Sequence, residues 1–202
     1  MLYFIQGLTL GLAYVAPIGV QNLFIINSAL RLKRIRAYQT ALIVIFFDVT
    51  LALACFFGIG ALMDLFPLLK MGILLVGSLI VLWIGISLIR SKVSMDKEAE
   101  VNMPILKVIA TACVVTWFNP QALIDGTMLL GAFRATLPPE HSSIFILGVA
   151  AASCLWFLGL STITSILKHQ FTVKVLRTIN IICGFIIVFY GLKLAWSFYL
   201  AL

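Results

Sequence analysis

The stretch Ala16-Pro17-Ile18-Gly19-Val20-Gln21-Asn22 places a proline, a glycine and two amide side chains inside a long apolar segment. A second stretch at 116–126, Thr-Trp-Phe-Asn-Pro-Gln-Ala-Leu-Ile-Asp-Gly, interrupts an apolar segment at the corresponding place in the second half of the chain. Proline removes a helical hydrogen bond and crowds the preceding turn, so we predict helix breaks at Pro17, Gly19 and Pro120. Paired breaks of this kind are typical of the substrate site of a secondary transporter.

The composition indicates that these segments lie in a membrane. Hydrophobic residues make up 63% of the chain and charged residues only 10%, whereas roughly a quarter of the residues of a soluble domain are charged. The formal net charge of +7 comes from basic residues in short connections between apolar stretches. Because no basic groove with stacking aromatic side chains is visible, we expect a protein of the lipid bilayer that does not bind nucleic acid.

The apolar stretches predict an all-α integral membrane protein with six transmembrane helices. A helix needs about 20 apolar residues to cross the hydrocarbon core. We expect three helices in a first repeat at 1–90, a cytoplasmic linker at 91–104 and three helices in a second repeat at 105–202. Since each half holds an odd number of spans, the two repeats are predicted to be inverted in the membrane, with the first helix of each broken. The predicted spans are 2–30, 37–63, 68–90, 105–131, 143–167 and 174–201.

The basic residues predict the orientation. Connections between spans 1 and 2, 3 and 4, and 5 and 6 would share one side of the membrane, and the other two hold only Lys70 and Arg134. Basic connections face the cytoplasm, so both termini are predicted to lie on the extracytoplasmic side. The basic residues of the first group are Arg31, Lys33, Arg34, Arg36, Arg90, Lys92, Lys97, Lys107, Lys168, Lys174 and Arg177.

Two carboxylates lie deep in predicted spans. Asp48 is midway along the second span, and Asp125 follows Gln121 by one helical turn in the fourth. A charge at the centre of a membrane helix costs roughly 2.5–3.5 kcal/mol, so these residues are predicted to bind substrate or couple transport. Lys193 in the last span either extends to the interface or pairs with one of the aspartates. The predicted substrate-binding or coupling residues are Asp48, Asp125, Asn22, Gln21, Asn119 and Gln121.

Two other classes of membrane protein are compatible with single features of the chain. Two aspartates suggest an intramembrane aspartyl protease, but Leu123 and Ile124 precede Asp125 where such enzymes carry a Gly-x-Gly context. A thiol-redox carrier needs paired cysteines. We therefore predict no enzyme activity, no metal site and no cofactor; without a nucleotide-binding motif, ATP is not the energy source. The cysteines, Cys55, Cys113, Cys154 and Cys183, each stand alone in an apolar stretch.

Several of these motifs together resemble the LysE family of amino-acid exporters over essentially the whole chain. The resemblance is carried by 17–22, by Asp48, by 116–120 followed by Asp125, and by 152–157. Gln21-Asn22 and Asp125 are similar to the lysine and arginine exporter branch, whereas Val20 stands where that branch usually carries a second proline.

This resemblance implies a secondary-active exporter of basic amino acids in the bacterial inner membrane, with a homodimer as the expected assembly. An exporter of neutral amino acids or other small solutes is the alternative. A cationic substrate in a cavity of low dielectric constant needs a carboxylate partner, which Asp48 or Asp125 can supply.

Overall fold

The structure, a computed structural model, describes residues 1–17, 19–58, 65–90, 104–131, 133–134, 137–170 and 173–200. All regular secondary structure in these ranges is helical, which confirms the predicted all-α class. The helices are α1 (Leu2–Val15), α2 (Val20–Arg31), α3 (Arg34–Phe57), α4 (Pro67–Arg90), α5 (Ile105–Trp117), α6 (Pro120–Gly126), α7 (Ser142–Ile166) and α8 (Val173–Leu200).

Several of the described helices are candidate membrane spans. Arg34–Phe57 and Pro139–Ile166 are each long and apolar enough to cross a membrane. The pair α1 and α2 meets the same criteria as one bent unit, and so does α5 with Pro120–Gly131, which bends by 54°. Among the described residues, these criteria find two spans, or up to four if each bent pair counts as one.

The two bends lie at the prolines. Helix α1 ends at Val15, and Gly19 is extended before α2 begins at Val20. Helix α5 ends at Trp117, and Pro120 occupies the first turn of α6. The N–H groups of a first turn have no acceptor within the helix, so a proline there costs no helical hydrogen bond. Beyond Gly126 the chain continues as a π-helical turn, Thr127–Gly131.

Small residues let neighbouring helices approach closely. A Cβ added to Gly7 of α1 would overlap the carbonyl oxygen of Phe145 in α7, and one added to Gly148 would overlap that of Phe4. Helices α4 and α8 also touch at a glycine, since a Cβ on Gly85 would lie 2.8 Å from Cγ2 of Val188. These helix pairs therefore depend on the absence of a side chain.

The helix breaks face the pair formed by α4 and α8. Val81 of α4 and Ile187 of α8 pack in one buried apolar cluster with Val20, Leu23 and Val115. Helix α3 packs against α2, α5 and α7 and buries Asp48 completely. This arrangement leaves a space that is bounded by the two helix breaks on one side and by α4 and α8 on the other.

Candidate functional site

A cavity of about 350 Å³ lies between the two helix breaks. Six of the residues that the sequence predicts for the site or for the breaks line it: Pro17, Gly19, Gln21, Asn119, Gln121 and Asp125. Tyr14, Val15, Val20, Val81, Ala122 and Ile187 complete the lining. The lining therefore combines apolar walls with one carboxylate and three side-chain amides, the composition of a site for a small charged molecule.

Asp125 is the carboxylate of this cavity. Its side chain is half-buried, and Oδ1 accepts a hydrogen bond from Nε2 of Gln121 at 2.6 Å. Asn119 fixes the start of the same helix, because its Oδ1 accepts the backbone N–H of Gln121 at 3.2 Å. With Gln121 one turn before it on α6, Asp125 is held at the cavity wall and can bind a cation there.

Asp48 does not line the cavity. Its side chain is 0% exposed, and each of its oxygens accepts a hydrogen bond from another helix. Nε2 of Gln21 donates to Oδ1 at 3.1 Å, and Oγ of Ser153 donates to Oδ2 at 2.6 Å. Nε2 of Gln21 also donates to Oγ1 of Thr116 at 3.0 Å. Asp48 thus joins α2, α3 and α7 and fixes the position of Gln21, which does line the cavity.

Asn22 also lies outside the cavity lining, although the sequence groups it with Gln21. Its side chain is 2% exposed, and Nδ2 donates to the carbonyl of Pro17 at 2.7 Å and to that of Val15 at 3.3 Å. Its Oδ1 accepts the indole N–H of Trp156 at 2.8 Å. Asn22 therefore supplies partners to carbonyls that the end of α1 leaves without helical donors, which is a structural contribution to the break.

Sequence reasoning assigned no individual role to Ser153, Thr116 or Tyr14. Ser153 lies at the middle of α7, where its hydroxyl is surrounded in the sequence by apolar residues. This isolated polar group is the one sequence feature that could have indicated a buried hydrogen bond. Its pairing with Asp48 joins residues 105 positions apart in the sequence. Nothing in the local sequence of α7 specifies which helix this hydroxyl meets.

The remaining predicted features are Pro120, Lys193 and the four cysteines. Pro120 is buried, and Lys193 lies in α8 with its side chain outside the described part of the structure. Cys55, Cys113 and Cys154 are free thiols, whereas the side chain of Cys183 is also outside the described part. Among the residues that the structure describes, no group of three or more His, Cys, Asp or Glu side chains is placed to hold a metal ion.

A second cavity of about 450 Å³ lies between α2, α4 and α5. It shares Val20 with the first cavity. Its described lining includes the polar side chains of Asn27 and Thr111 but no charged side chain. The remaining lining residues are Leu23, Phe24, Trp83, Ile84, Ala110, Val114 and Val115. The cavity that contains Asp125 is therefore the better candidate for a charged ligand.

Comparison with known proteins yields one family and a consistent set of relatives. Residues 12–197 match the family described as LysE type translocator. The chain is 36% identical over 200 residues to the arginine exporter protein ArgO of Escherichia coli (strain K12), covering 96% of this chain and 93% of that protein. It is 35% identical, with the same coverage, to the ArgO proteins of Salmonella schwarzengrund (strain CVM19633) and Klebsiella pneumoniae (strain 342). No solved structure matches the chain significantly.

Proposed function

The chain belongs to the LysE type translocator family, and on this premise we propose that it exports basic amino acids, arginine or lysine, across the bacterial inner membrane. The curated relatives named above are arginine exporters, and this chain covers 93% of their length. The observation that carries the proposal is the carboxylate of Asp125 in a cavity between two broken helices.

Charge matching supports a basic substrate. The ammonium of lysine or the guanidinium of arginine pairs with Asp125 in surroundings of low dielectric constant, where the attraction is stronger than in water. A neutral amino acid would leave this carboxylate without an ionic partner in a largely apolar cavity, which is costly.

The first turn of α2 supplies a place for the substrate's carboxylate. Gly19, Val20 and Gln21 line the cavity, and they belong to the N-terminus of a helix of 12 residues. The first N–H groups of a helix have no partner within it, and the helix dipole favours a negative charge at this end. The amino acid would therefore lie with its carboxylate toward α2 and its cationic group toward Asp125 on α6.

Asp48 acts as a positioning residue in this proposal. It holds Gln21 at the cavity wall through the 3.1 Å hydrogen bond, and it ties α3 to α7 through Ser153. Substrate binding in the cavity does not require Asp48 to lose its hydrogen bonds with Gln21 and Ser153.

Transport is driven by the proton gradient or the membrane potential.

The proposed architecture is six spans in two inverted repeats at 1–90 and 105–202, joined by a cytoplasmic linker at 91–104, of which 91–103 lie outside the described residues. Both termini face the extracytoplasmic side, and two chains form a homodimer. The matched breaks at Pro17 and Pro120 and the close contact of the two closing helices at Gly85 support the repeat.

The test is counterflow of radiolabelled arginine in proteoliposomes that contain the purified protein. We expect exchange with internal arginine, competition by lysine and no competition by threonine. Asp125→Asn should lose most of its exchange, whereas Glu140→Gln, which removes an exposed carboxylate in the turn before α7, should keep it. Competition by threonine or another neutral amino acid, without competition by lysine, would contradict the basic substrate.

A further inference from the structure

Tyr14 has a buried hydroxyl group that makes no hydrogen bond to the described residues. The residue lies in the last turn of α1, directly before the first helix break, and its side chain is 8% exposed. A buried polar group without a partner costs free energy, and such groups are rare in folded proteins. The hydroxyl therefore needs an explanation other than stability of the fold.

Tyr14 differs in its position from the other residues that have a buried side-chain oxygen without a partner. Six such atoms occur in the described part of the chain, and among their residues only Tyr14 lines the 350 Å³ cavity. The other five residues are Gln6, Thr127, Ser142, Ser161 and Ser165.

Tyr14 and Asp125 line the same cavity, and the edge of the Tyr14 ring lies next to Gly126, the residue after Asp125. Cε2, the ring carbon next to the one that carries the hydroxyl, would lie 3.3 Å from a Cβ added to Gly126. The carboxylates of Asp48 and Asp125 both lie within electrostatic range of this side chain. A positive charge placed here would be attracted by both aspartates, while a negative charge would be repelled by both.

Asp125 alone offers too few acceptors for a cationic head group. One of its oxygens already accepts from Gln121, whereas an ammonium presents three N–H donors and a guanidinium five. A tyrosine hydroxyl carries two acceptor lone pairs as well as one donor proton. It can accept from the cation while it donates to a neighbouring carboxylate.

We propose that the Tyr14 hydroxyl is a second ligand for the cationic head group of the substrate, beside Asp125. The hydroxyl has no partner among the described residues and gains one when the ammonium or guanidinium binds. This inference rests on the proposed export of basic amino acids.

The variant that tests it is Tyr14→Phe, which removes only the hydroxyl. Because that hydroxyl has no partner among the described residues, the melting temperature in detergent should stay the same or rise. The KM for arginine in counterflow should rise about tenfold, the usual effect of losing one hydrogen bond to a charged group, with little change in kcat. Tyr38→Phe is the matched control, because its hydroxyl bonds Oγ1 of Thr162 at 2.9 Å, away from the cavity lining.

A second measurement identifies the group that the hydroxyl binds. Agmatine keeps the guanidinium of arginine and lacks its carboxylate, so its inhibition constant should rise by the same factor in Tyr14→Phe. An unchanged KM for arginine in this variant would overturn the proposal, and so would a lower melting temperature. A raised KM for arginine with unchanged inhibition by agmatine would assign the hydroxyl to the carboxylate instead and also overturn it. Wild-type protein that exchanges neither arginine nor lysine would contradict the proposed function itself.

Discussion

At the scale of single residues, the two membrane aspartates have different surroundings. Asp48 is fully buried and accepts from Gln21 and Ser153, so its charge is compensated by hydrogen bonds inside the fold. Asp125 is half-buried at a cavity wall, with Gln121 as its donor. Of these two aspartates, Asp125 is the one that borders the cavity in which we propose that the substrate binds.

Replacing each aspartate by asparagine should reduce arginine export, for different reasons. Asp125→Asn removes the negative charge of the cavity, so kcat/KM for arginine should fall about 10- to 100-fold with unchanged thermal stability. Asp48→Asn points an N–H at Gln21 or Ser153, so it should also lower the free energy of unfolding by about 1–3 kcal/mol. Arginine efflux from cells and melting curves of the purified variants provide the measurements. Normal arginine efflux by both variants would show that the two aspartates make only structural contacts.

At the scale of helices, an asparagine stabilises each break. Asn22 bonds the carbonyls of Val15 and Pro17 at the first break, and Asn119 caps α6 at the second. Backbone groups at membrane depth must find partners within the protein or in a water-filled cavity. The breaks thus keep a defined shape while the backbone of 19–21 remains at the cavity wall.

Close packing of α1 against α7 gives a prediction at the same scale. Gly148→Ala would drive its methyl group into the carbonyl oxygen of Phe4 and to 2.8 Å from the backbone nitrogen of Leu8. We expect a loss of about 1–3 kcal/mol in the free energy of unfolding. Gly159→Ala on the same helix is the control, because no atom lies within 4 Å of the added carbon. Equal melting temperatures for the two variants would contradict the close approach of α1 and α7.

At the scale of the whole molecule, family membership confirms the expected class of protein. A LysE type translocator is a transporter, and the predicted absence of enzyme activity follows from that membership. The protease and thiol-redox alternatives are therefore set aside.

Orientation is tested by reporter fusions. Because the basic connections are expected to face the cytoplasm, alkaline phosphatase fused after Leu202 should be active and a green fluorescent protein fused there should be dark. A fusion after Lys33, in the first basic connection, should give the opposite result and serves as the control. An inactive phosphatase and a fluorescent reporter at Leu202 would contradict the inverted repeat as proposed.

The sequence by itself determined the features that depend on composition along the chain. Apolar stretches of membrane length predicted several helices within a few residues, for example 143–167 against Ser142–Ile166. The second predicted span, 37–63, was too long at its end, because α3 ends at Phe57 and Gly58 follows in a left-handed conformation. The prolines marked where the helices break, and the motifs identified the family. These features are local, since helix length and proline geometry need no knowledge of neighbouring helices.

Only the tertiary structure decided which polar side chains share a cavity. Membrane helices are apolar on nearly every side, so hydrophobic periodicity does not reveal which face packs inward. The placement of Asp125 at the cavity and of Asp48 behind Gln21 depends on how α2, α3, α6 and α7 rotate against one another. The pairing of Asp48 with Ser153 and the unpartnered hydroxyl of Tyr14 follow from that packing, because hydrogen bonds between helices are set by three-dimensional contact.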